Sequence, residues 1–396
     1  MATISRINAG VISDPLARDS GRSLNTVLLV VLSLLGIGLL MMTSASVEIA
    51  NSSTGDPFYY FKRQAVFAVV GLFAGAVTLA LPLSLWRRFS LLLLLGSGLL
   101  LVAVLIPGIG HSVNGSARWI DLGFFNLQPS ELAKLFIVMY LADFLERNQA
   151  EVREKWREFF IPLGIAMVAS WLLQMEPDHG ALVIVMATTF CLLFLAGAKL
   201  MRVVSLVVLA VLAFSAVAIT KPHVLARFNS FLDPWTAENV TGDGYQLAQA
   251  LIAFGRGEWF GMGLGNSIQK LYFLPEAHTD FVLAIIGEEF GLVGVGVVVG
   301  LFCILVVRAF AIGRLAETKQ SFFAAYLAYG IGLLFAGQAL INIGVNIGLL
   351  PTKGLTLPFL SYGGASLIIS CVIAALLIRV QFEVERLPSV DMKSAR

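Results

Sequence analysis

The feature that most constrains this chain is a series of long apolar stretches that recur from one end to the other. Ten can be drawn, at residues 25–46, 59–81, 90–106, 129–146, 160–175, 181–198, 203–219, 281–307, 322–349 and 365–382. Most approach the roughly 20 residues that a helix needs to cross a ~30 Å hydrocarbon core, although the third and fifth are shorter. Because the backbone in lipid must satisfy its own hydrogen bonds, helices are the expected form. The sequence therefore predicts an all-α polytopic membrane protein with about ten transmembrane helices.

The composition excludes a soluble fold and several common enzyme classes. The chain is 58% hydrophobic and 13% charged, whereas a soluble domain carries about 25% charged residues. Cys191, Cys303 and Cys371 all lie within predicted helices, where small packing residues are expected rather than a disulfide or a metal site. The sequence has no zinc-protease, Walker or Gly-x-Ser-x-Gly motif, so metalloproteolysis and ATP hydrolysis are unsupported.

The positions of the cations predict the orientation of the chain. Ten spans with the N-terminus inside would leave nine of the 27 Lys and Arg residues outside, namely Lys62, Arg63, Arg118, Lys134, Lys221, Arg227, Arg256, Lys270 and Lys353. Loops on the cytoplasmic side carry an excess of Lys and Arg in membrane proteins. We therefore expect both termini to be cytoplasmic and the nine cations to lie at the outer face.

The same pattern divides the chain into a membrane domain with two short tails. Residues 1–24 and 386–396 are predicted to be cytoplasmic tails, and 25–385 form the domain, with a large outer loop at 221–280. Apolar residues at helical spacing predict a short interfacial helix over 244–254. The glycine-rich run after it, 255–265, lacks the βαβ setting of a dinucleotide site, and we interpret it as a mobile flap.

The stretch Leu274-Pro275-Glu276-Ala277-His278-Thr279-Asp280-Phe281 closes this outer loop and leads directly into an apolar run. Its acids and its histidine therefore lie where water meets hydrocarbon. The plain interpretation is a capped helix start. The functional interpretation is that the carboxylate of Asp280 is a reactive group, with a pKa raised by its apolar surroundings.

A second polar group marks the outer end of the fourth apolar run. Pro129 suits the first position of a helix, and Glu131 lies where a carboxylate caps free N–H groups. Glu131 and Lys134 are three residues apart and can form an ion pair. Together with Gln128 they make a polar stripe, which is either a capped helix with one ion pair or the wall of a cavity.

Further polar side chains also leave two interpretations open. Lys62 and Arg63 either extend to the membrane interface or face an anionic substrate. Asp178, in the turn after the fifth run, either caps the next helix or contacts a cation or a sugar hydroxyl. Arg118 and Trp119 lie in the outer loop before the fourth run.

Polar residues within two later runs have structural explanations. Gln338, Asn342 and Asn346 are four residues apart and form one stripe, for which interhelical hydrogen bonding is the expected role. At 100° per residue, Glu288 lies about 80° and Glu289 about 180° from Asp280, so the two cannot both share its face.

An outward cavity that combines cations with one isolated carboxylate suits an anionic lipid. Arg and Lys bind pyrophosphate, and a carboxylate can take a proton from an attacking hydroxyl. From the residues alone, the site is either that of a lipid-phosphate enzyme or part of a transport pathway.

Five motifs resemble the SEDS family (shape, elongation, division, sporulation), and together they cover residues 25–385. They are residues 114–120, 128–134, 176–180, 275–281 and 358–364. The sequences of these motifs resemble those of the division members of the family more than those of the elongation members. Ala365 departs from the family, whose members commonly have a hydroxyl residue there.

The resemblance implies a peptidoglycan glycosyltransferase that links lipid II into glycan strands at the outer face of the cytoplasmic membrane, at the division septum. It implies Asp280 as the catalytic acid–base residue. The implied substrate-binding residues are Arg63, Arg118, Trp119, Gln128, Glu131, Lys134, Asp178, His278 and Ser361. It leaves open whether a divalent cation, Mg²⁺ or Mn²⁺, takes part.

The implied partners are a class B penicillin-binding transpeptidase of the FtsI type and division proteins of the FtsQ, FtsL, FtsB and FtsN types, with no nucleic acid. Two other functions stay open, a lipid II flippase and a non-catalytic scaffold for division proteins. The nearly uncharged cytoplasmic halves of the predicted spans argue against a path from face to face.

Overall fold

The structure, a computed structural model, describes residues 15–113, 116–123, 125–202, 204–206, 208, 231–242, 244–352 and 354–388. In this part the chain is mostly helical, which confirms the predicted class. The helices are α1 Pro15–Thr54, α2 Tyr59–Ala80, α3 Leu83–Val104, α4 Pro129–Arg147, α5 Gln149–Glu154, α6 Trp156–Met175, α7 His179–Leu195, α8 Ala237–Thr241, α9 Tyr245–Gly257, α10 Val282–Thr318, α11 Phe322–Asn346 and α12 Gly364–Arg386.

Seven of the helices in the described ranges are long and apolar enough to cross a membrane, namely α1, α2, α3, α6, α10, α11 and α12. α7 is apolar but shorter, and α4 coincides with the predicted run 129–146 while carrying several charges. The predicted run 203–219 lies almost wholly outside the described residues. The total of ten spans therefore stays a prediction.

The centre of the molecule is formed by α11 and α12. In their most apolar windows 72% and 78% of the residues are buried, against 33% in α2 and 22% in α3. A helix that is apolar all round is a core helix in a large bundle, and α11 and α12 have that pattern. The exposed leucines of α3, among them Leu92 and Leu99, suit contact with lipid.

Two segments contain structure that the sequence did not predict. Residues 15–24, predicted to be a cytoplasmic tail, are helical and continuous with the rest of α1, and their side of the membrane stays a prediction. The loop before α4 contains an antiparallel sheet of β1 Gly110–Val113, β2 Ser116–Asp121 and β3 Asn126–Leu127, with β2 in the middle. These strands are too short for alternation of apolar and polar residues to be recognised in the sequence.

The apolar run 281–307 is not one straight helix, because α10 breaks at Gly291. This residue has φ 64° and ψ −163°, a region of backbone space that is essentially restricted to glycine. The break separates a short N-terminal segment of α10, 282–290, from the long helix that follows. Glu288 and Glu289 therefore belong to the N-terminal segment, where Arg256 and Lys270 pair with them at 3.5 and 2.9 Å.

A helix is present where one was predicted, as α9, and its location at the membrane interface stays a prediction. The glycine run is not a detached flap but is docked against the N-terminal segment of α10: the backbone N–H groups of Met262 and Gly263 donate to the carbonyls of Glu288 and Glu289 at 2.9 and 3.0 Å. A Cβ on Gly257 would lie 1.8 Å from a carbonyl oxygen of this segment. The glycines therefore permit close packing of two backbones.

Candidate active site

Asp280 lies in a tight turn that is locked by its own residues just before α10. Glu276 has φ 55°, and its carbonyl accepts the backbone N–H groups of Thr279, Asp280 and Phe281 at 3.1–3.2 Å. The hydroxyl of Thr279 donates to the Glu276 carboxylate at 2.7 Å. Glu276 and Thr279 thus shape the loop, and the carboxylate of Asp280 is left free of it.

The backbone of Asp280 is held by α11. The side-chain amides of Asn342 and Asn346 donate to its carbonyl oxygen at 2.9 and 3.0 Å. The sequence predicted interhelical hydrogen bonds for this polar stripe. It did not show that the acceptor is the residue singled out as reactive.

The carboxyl group of Asp280 has an unusual environment. Burial raises its pKa to about 7, the negative charge of Glu276 adds to this effect, and the positive charge of Arg118 opposes it. A Cβ on Gly354 would lie 3.1 Å from Oδ2 of Asp280, so the loop between α11 and α12 passes close to the carboxyl group. A carboxylate with a pKa near the working pH is suited to general base catalysis.

Asp178 joins the N-terminal ends of α4 and α7. Its Oδ1 accepts the backbone N–H of Ala181 at 3.1 Å, which confirms that it caps α7. Its Oδ2 accepts from Ser130 at 2.8 Å and from the amide of Gln128 at 3.3 Å. Asp178 and Gln128, both predicted site residues, are therefore in contact.

The predicted ion pair of α4 is present and buried. Lys134 donates to Glu131 at 2.9 Å, with side chains 2% and 4% exposed. The other carboxylate oxygen of Glu131 faces the amide of Gln338 at 3.5 Å. Pro129 is at the start of the helix, as predicted. The pair is thus continuous with the α11 stripe that reaches Asp280.

Arg118, on β2, holds the turn between α6 and α7. Its guanidinium donates to the backbone carbonyl of Glu176 at 3.2 Å and to that of Pro177. The Glu176 side chain is fully buried, and neither carboxylate oxygen has a hydrogen-bond partner among the described residues. Burial, and next the charge of Asp178, raise the pKa of Glu176 to about 8.

Glu176 is the residue that sequence reasoning missed, although its motif was noted. The signal was available, since an acid directly before a proline turn at the end of an apolar run is exposed to the same desolvation as Asp280. Trp119 follows Arg118 on β2 and is half-buried. It lies opposite His111 where β1 and β2 pair.

An aromatic cluster brings α2 to the Asp280 loop. The ring of Tyr60 lies 4.9 Å from His278 and 5.0 Å from Tyr362. Arg63 donates to the hydroxyl of Tyr59 at 2.8 Å. Burial lowers the pKa of His278, so its imidazole is neutral at pH 7.

Ser361 has structural contacts, and its role in substrate binding stays a prediction. Its Oγ accepts the backbone N–H of Leu357 at 2.8 Å, and its carbonyl accepts from Gln64 at 3.0 Å. Direct contacts thus link the N-terminal ends of α2, α4 and α7, the C-terminal half of α11, the Asp280 loop and the segment 354–362. Among the described residues no group of three or more His, Cys, Asp or Glu side chains is arranged to hold a metal ion.

The sequence matches the family model of cell cycle proteins that covers FtsW, RodA and SpoVE, over residues 25–386. It is 53% identical over 352 residues to the probable peptidoglycan glycosyltransferase FtsW of Pseudomonas fluorescens, covering 89% of this chain and 86% of that protein. It is 50% identical over 375 residues to the corresponding protein of Thioalkalivibrio sulfidiphilus, covering 92% and 93%.

Two solved structures have the same fold. One belongs to a peptidoglycan synthase complex that coordinates polymerization and crosslinking, with a TM-score of 0.75, 27% identity, and coverage of 91% of this chain and 98% of that chain. The other is the rod shape determining protein RodA of Thermus thermophilus, with a TM-score of 0.63, 26% identity, and coverage of 90% and 96%.

Proposed function

The chain belongs to the FtsW, RodA and SpoVE family of cell cycle proteins, and from this premise we propose how its site works. It is a peptidoglycan glycosyltransferase of the cell-division type. We propose that its substrate is lipid II, a disaccharide-peptide on undecaprenyl pyrophosphate, and that its product is the glycan strand of the septal wall.

In the proposed reaction Asp280 is the general base. Its carboxylate takes the proton of the GlcNAc 4-hydroxyl of the acceptor lipid II as that oxygen bonds to the anomeric carbon of the growing chain. The bond to undecaprenyl pyrophosphate breaks on the opposite side, so the α-linked donor becomes a β-linked product. The observation that carries this proposal is a carboxyl group with a pKa of about 7 that takes no part in the hydrogen bonds closing its own turn, which run to the carbonyl of Glu276.

The departing pyrophosphate needs positive charge beside it. Arg63, Arg118 and Lys134 are the candidates among the described residues, and each is tied to the site by a contact. Arg118 also acts on Asp280 electrostatically, which supports it as one of the cations of the site. A divalent cation would add Lewis-acid stabilisation of the same charge.

We propose that the chain acts with a transpeptidase of the class B penicillin-binding type, because its fold matches a protein from a complex that couples polymerization to crosslinking. Division proteins of the FtsQ, FtsL, FtsB and FtsN types are further proposed partners. The proposed location is the cytoplasmic membrane at the septum, with the site on the periplasmic side.

The test is lipid II polymerisation by the purified chain with its transpeptidase. We expect Asp280→Asn, which keeps the shape of the side chain, to lower the rate at least ~100-fold. Asp56→Asn is the matched control, since Asp56 is an exposed acid paired with Lys62, and its variant should polymerise normally. Full activity of Asp280→Asn would overturn the assignment, and lipid II transport without polymerisation by the unchanged chain would favour a flippase.

A further inference from the structure

The carbonyl oxygen of Asp280 receives its hydrogen bonds from side chains of another helix. The Nδ2 groups of Asn342 and Asn346 lie 2.9 and 3.0 Å from it, and both asparagines are buried. A buried backbone carbonyl needs such partners. One asparagine would satisfy this carbonyl, so the second also constrains the direction in which the carbonyl points.

Asn342 also holds the loop that passes the carboxyl group. Its amide donates to the carbonyl of Leu355 at 2.6 Å, so both hydrogens of its NH₂ group are in use. The neighbouring Gly354 is the residue whose added Cβ would lie 3.1 Å from Oδ2 of Asp280. One amide thus fixes the Asp280 backbone and the loop facing its carboxylate relative to each other.

Asn346 acts on the other side of Asp280. Its Oδ1 accepts the backbone N–H of Ala284 at 3.2 Å, in the first turn of α10. Its Nδ2 also faces the carbonyl and Oδ1 of Asn342 at 2.9 and 3.3 Å. The two side chains therefore form one connected unit with Asp280 and with the start of the helix that follows it.

We infer that Asn342 and Asn346 are positioning residues of the glycosyl transfer, which aim the Asp280 carboxylate by fixing its backbone. This inference rests on the proposed role of Asp280 as the base. A general base must lie within hydrogen-bond reach of its proton, and a displacement of ~1 Å can cost about 100-fold in rate. If the two asparagines served only helix packing, any acceptor would do, because packing requires only that buried polar groups be paired.

The experiment compares Asn342→Leu and Asn346→Leu with the parent chain, each with its transpeptidase. We expect kcat for lipid II polymerisation to fall ~10- to 100-fold while KM stays within about threefold. Tyr326→Phe is the control, because it removes a buried polar group from the same helix far along the chain from the asparagines. Asn342→Ser provides a milder variant if the leucine variant does not fold.

A second readout does not depend on catalysis. In a chain without the native cysteines, Asp280→Cys is labelled by a small thiol reagent, with and without Asn342→Leu. We expect the labelling rate to change at least ~3-fold if the asparagine sets the position of residue 280. Equal labelling, or a kcat within about threefold of the parent in both leucine variants, overturns the inference.

The two readouts separate this inference from the proposed function. If Asp280→Asn keeps full activity while Asn342→Leu alters the labelling of residue 280, the role of Asp280 as base fails, and what stands is only that Asn342 fixes the position of residue 280. If Asp280→Asn is inactive but the leucine variants are unaffected, the base stands and the positioning fails.

Discussion

The carboxyl group of Asp280 is under two opposing influences, and their balance determines its charge at neutral pH. Burial and the nearby Glu276 raise its pKa to about 7, while Arg118 lowers it. A base works only when ionised, so the rate of polymerisation should rise with pH through about 7. A substitution of Arg118, which opposes the rise in this pKa, therefore tests the site as directly as a substitution of Asp280.

Arg118→Gln should move the acid limb of the rate profile to higher pH. Without the positive charge, the ionised form of Asp280 is less favoured and its pKa rises further. The measurement is kcat for lipid II polymerisation between about pH 5.5 and 9. Lys62→Gln is the control, because Lys62 pairs with Asp56 and its variant should keep the parental limb. An acid limb that stays in place or moves to lower pH in Arg118→Gln would contradict this account.

Glu176 should make the stability of the protein depend on pH. Its pKa is about 8 in the folded state against 4.5 as an ordinary carboxyl. Between these values the unfolded chain releases the proton and the folded chain keeps it, so stability falls as pH rises. The stabilising contribution is full below about 4.5 and is lost as pH passes through about 8.

Glu176→Gln, which is neutral at every pH, should therefore match the parent near pH 5 and be more stable above pH 8. A shift of this size corresponds to at most ~5 kcal/mol, before the relaxation of the buried site is allowed for. Thermal midpoints in detergent across this range provide the measurement. Glu151→Gln, which changes an exposed acid paired with Lys155, should show no such pH dependence. A constant difference between Glu176→Gln and the parent at all pH values would be inconsistent with a buried titrating group.

At the scale of helices, local signals in the sequence predicted what local contacts determine. Pro129 begins α4, Glu131 pairs with Lys134 three residues on, and Asp178 caps α7. Each of these depends on residues within one turn. The break at Gly291 could not be predicted in this way, because one glycine among several in an apolar run looks the same whether or not the helix continues.

Gly291→Ala should strongly destabilise the outer part of α10. An alanine would have to adopt φ 64° and ψ −163°, and its Cβ would lie 2.5 Å from backbone atoms of Trp259 and Phe260. Both the strain and the clash should lower the thermal midpoint, by the equivalent of ~3 kcal/mol or more. Activity should fall as well, since this segment directly follows Asp280.

Gly296→Ala, five residues further along the same helix, is the matched control. A Cβ there would meet nothing within 4 Å, and alanine favours a helix over glycine by about 1 kcal/mol. Its thermal midpoint should equal or exceed that of the parent. Equal effects of the two substitutions would show that the break at Gly291 is not required.

At the scale of the whole molecule, the site consists of contacts between residues far apart in the sequence. Asn342 donates hydrogen bonds to the carbonyls of both Asp280 and Leu355, and the rings of Tyr60 and His278 are in contact. Spacing within one helix carries no information on such pairs. The one-sided placement of polar residues predicted that they would gather, and the family resemblance singled out Asp280, but neither indicated which side chain holds which.

The face on which these residues gather is predicted by the distribution of cations, and cysteine labelling tests it. In a chain whose native cysteines are replaced, Ser53→Cys lies at the exposed outer end of α1 and Glu154→Cys at the exposed end of α5. A membrane-impermeant maleimide should label residue 53 in intact spheroplasts and residue 154 only after lysis.

Residue 154 is expected to be protected in intact spheroplasts because Lys and Arg are retained on the cytoplasmic side. Residues 147–159 carry four of them. Residue 53 precedes Asp56 and α2 by a few positions, and α2 contacts the Asp280 loop through Tyr60 and His278. A label on residue 53 therefore shows on which side of the membrane the site lies. Labelling of residue 154 in intact spheroplasts would put the base in the cytoplasm, where a glycan strand could not join the wall.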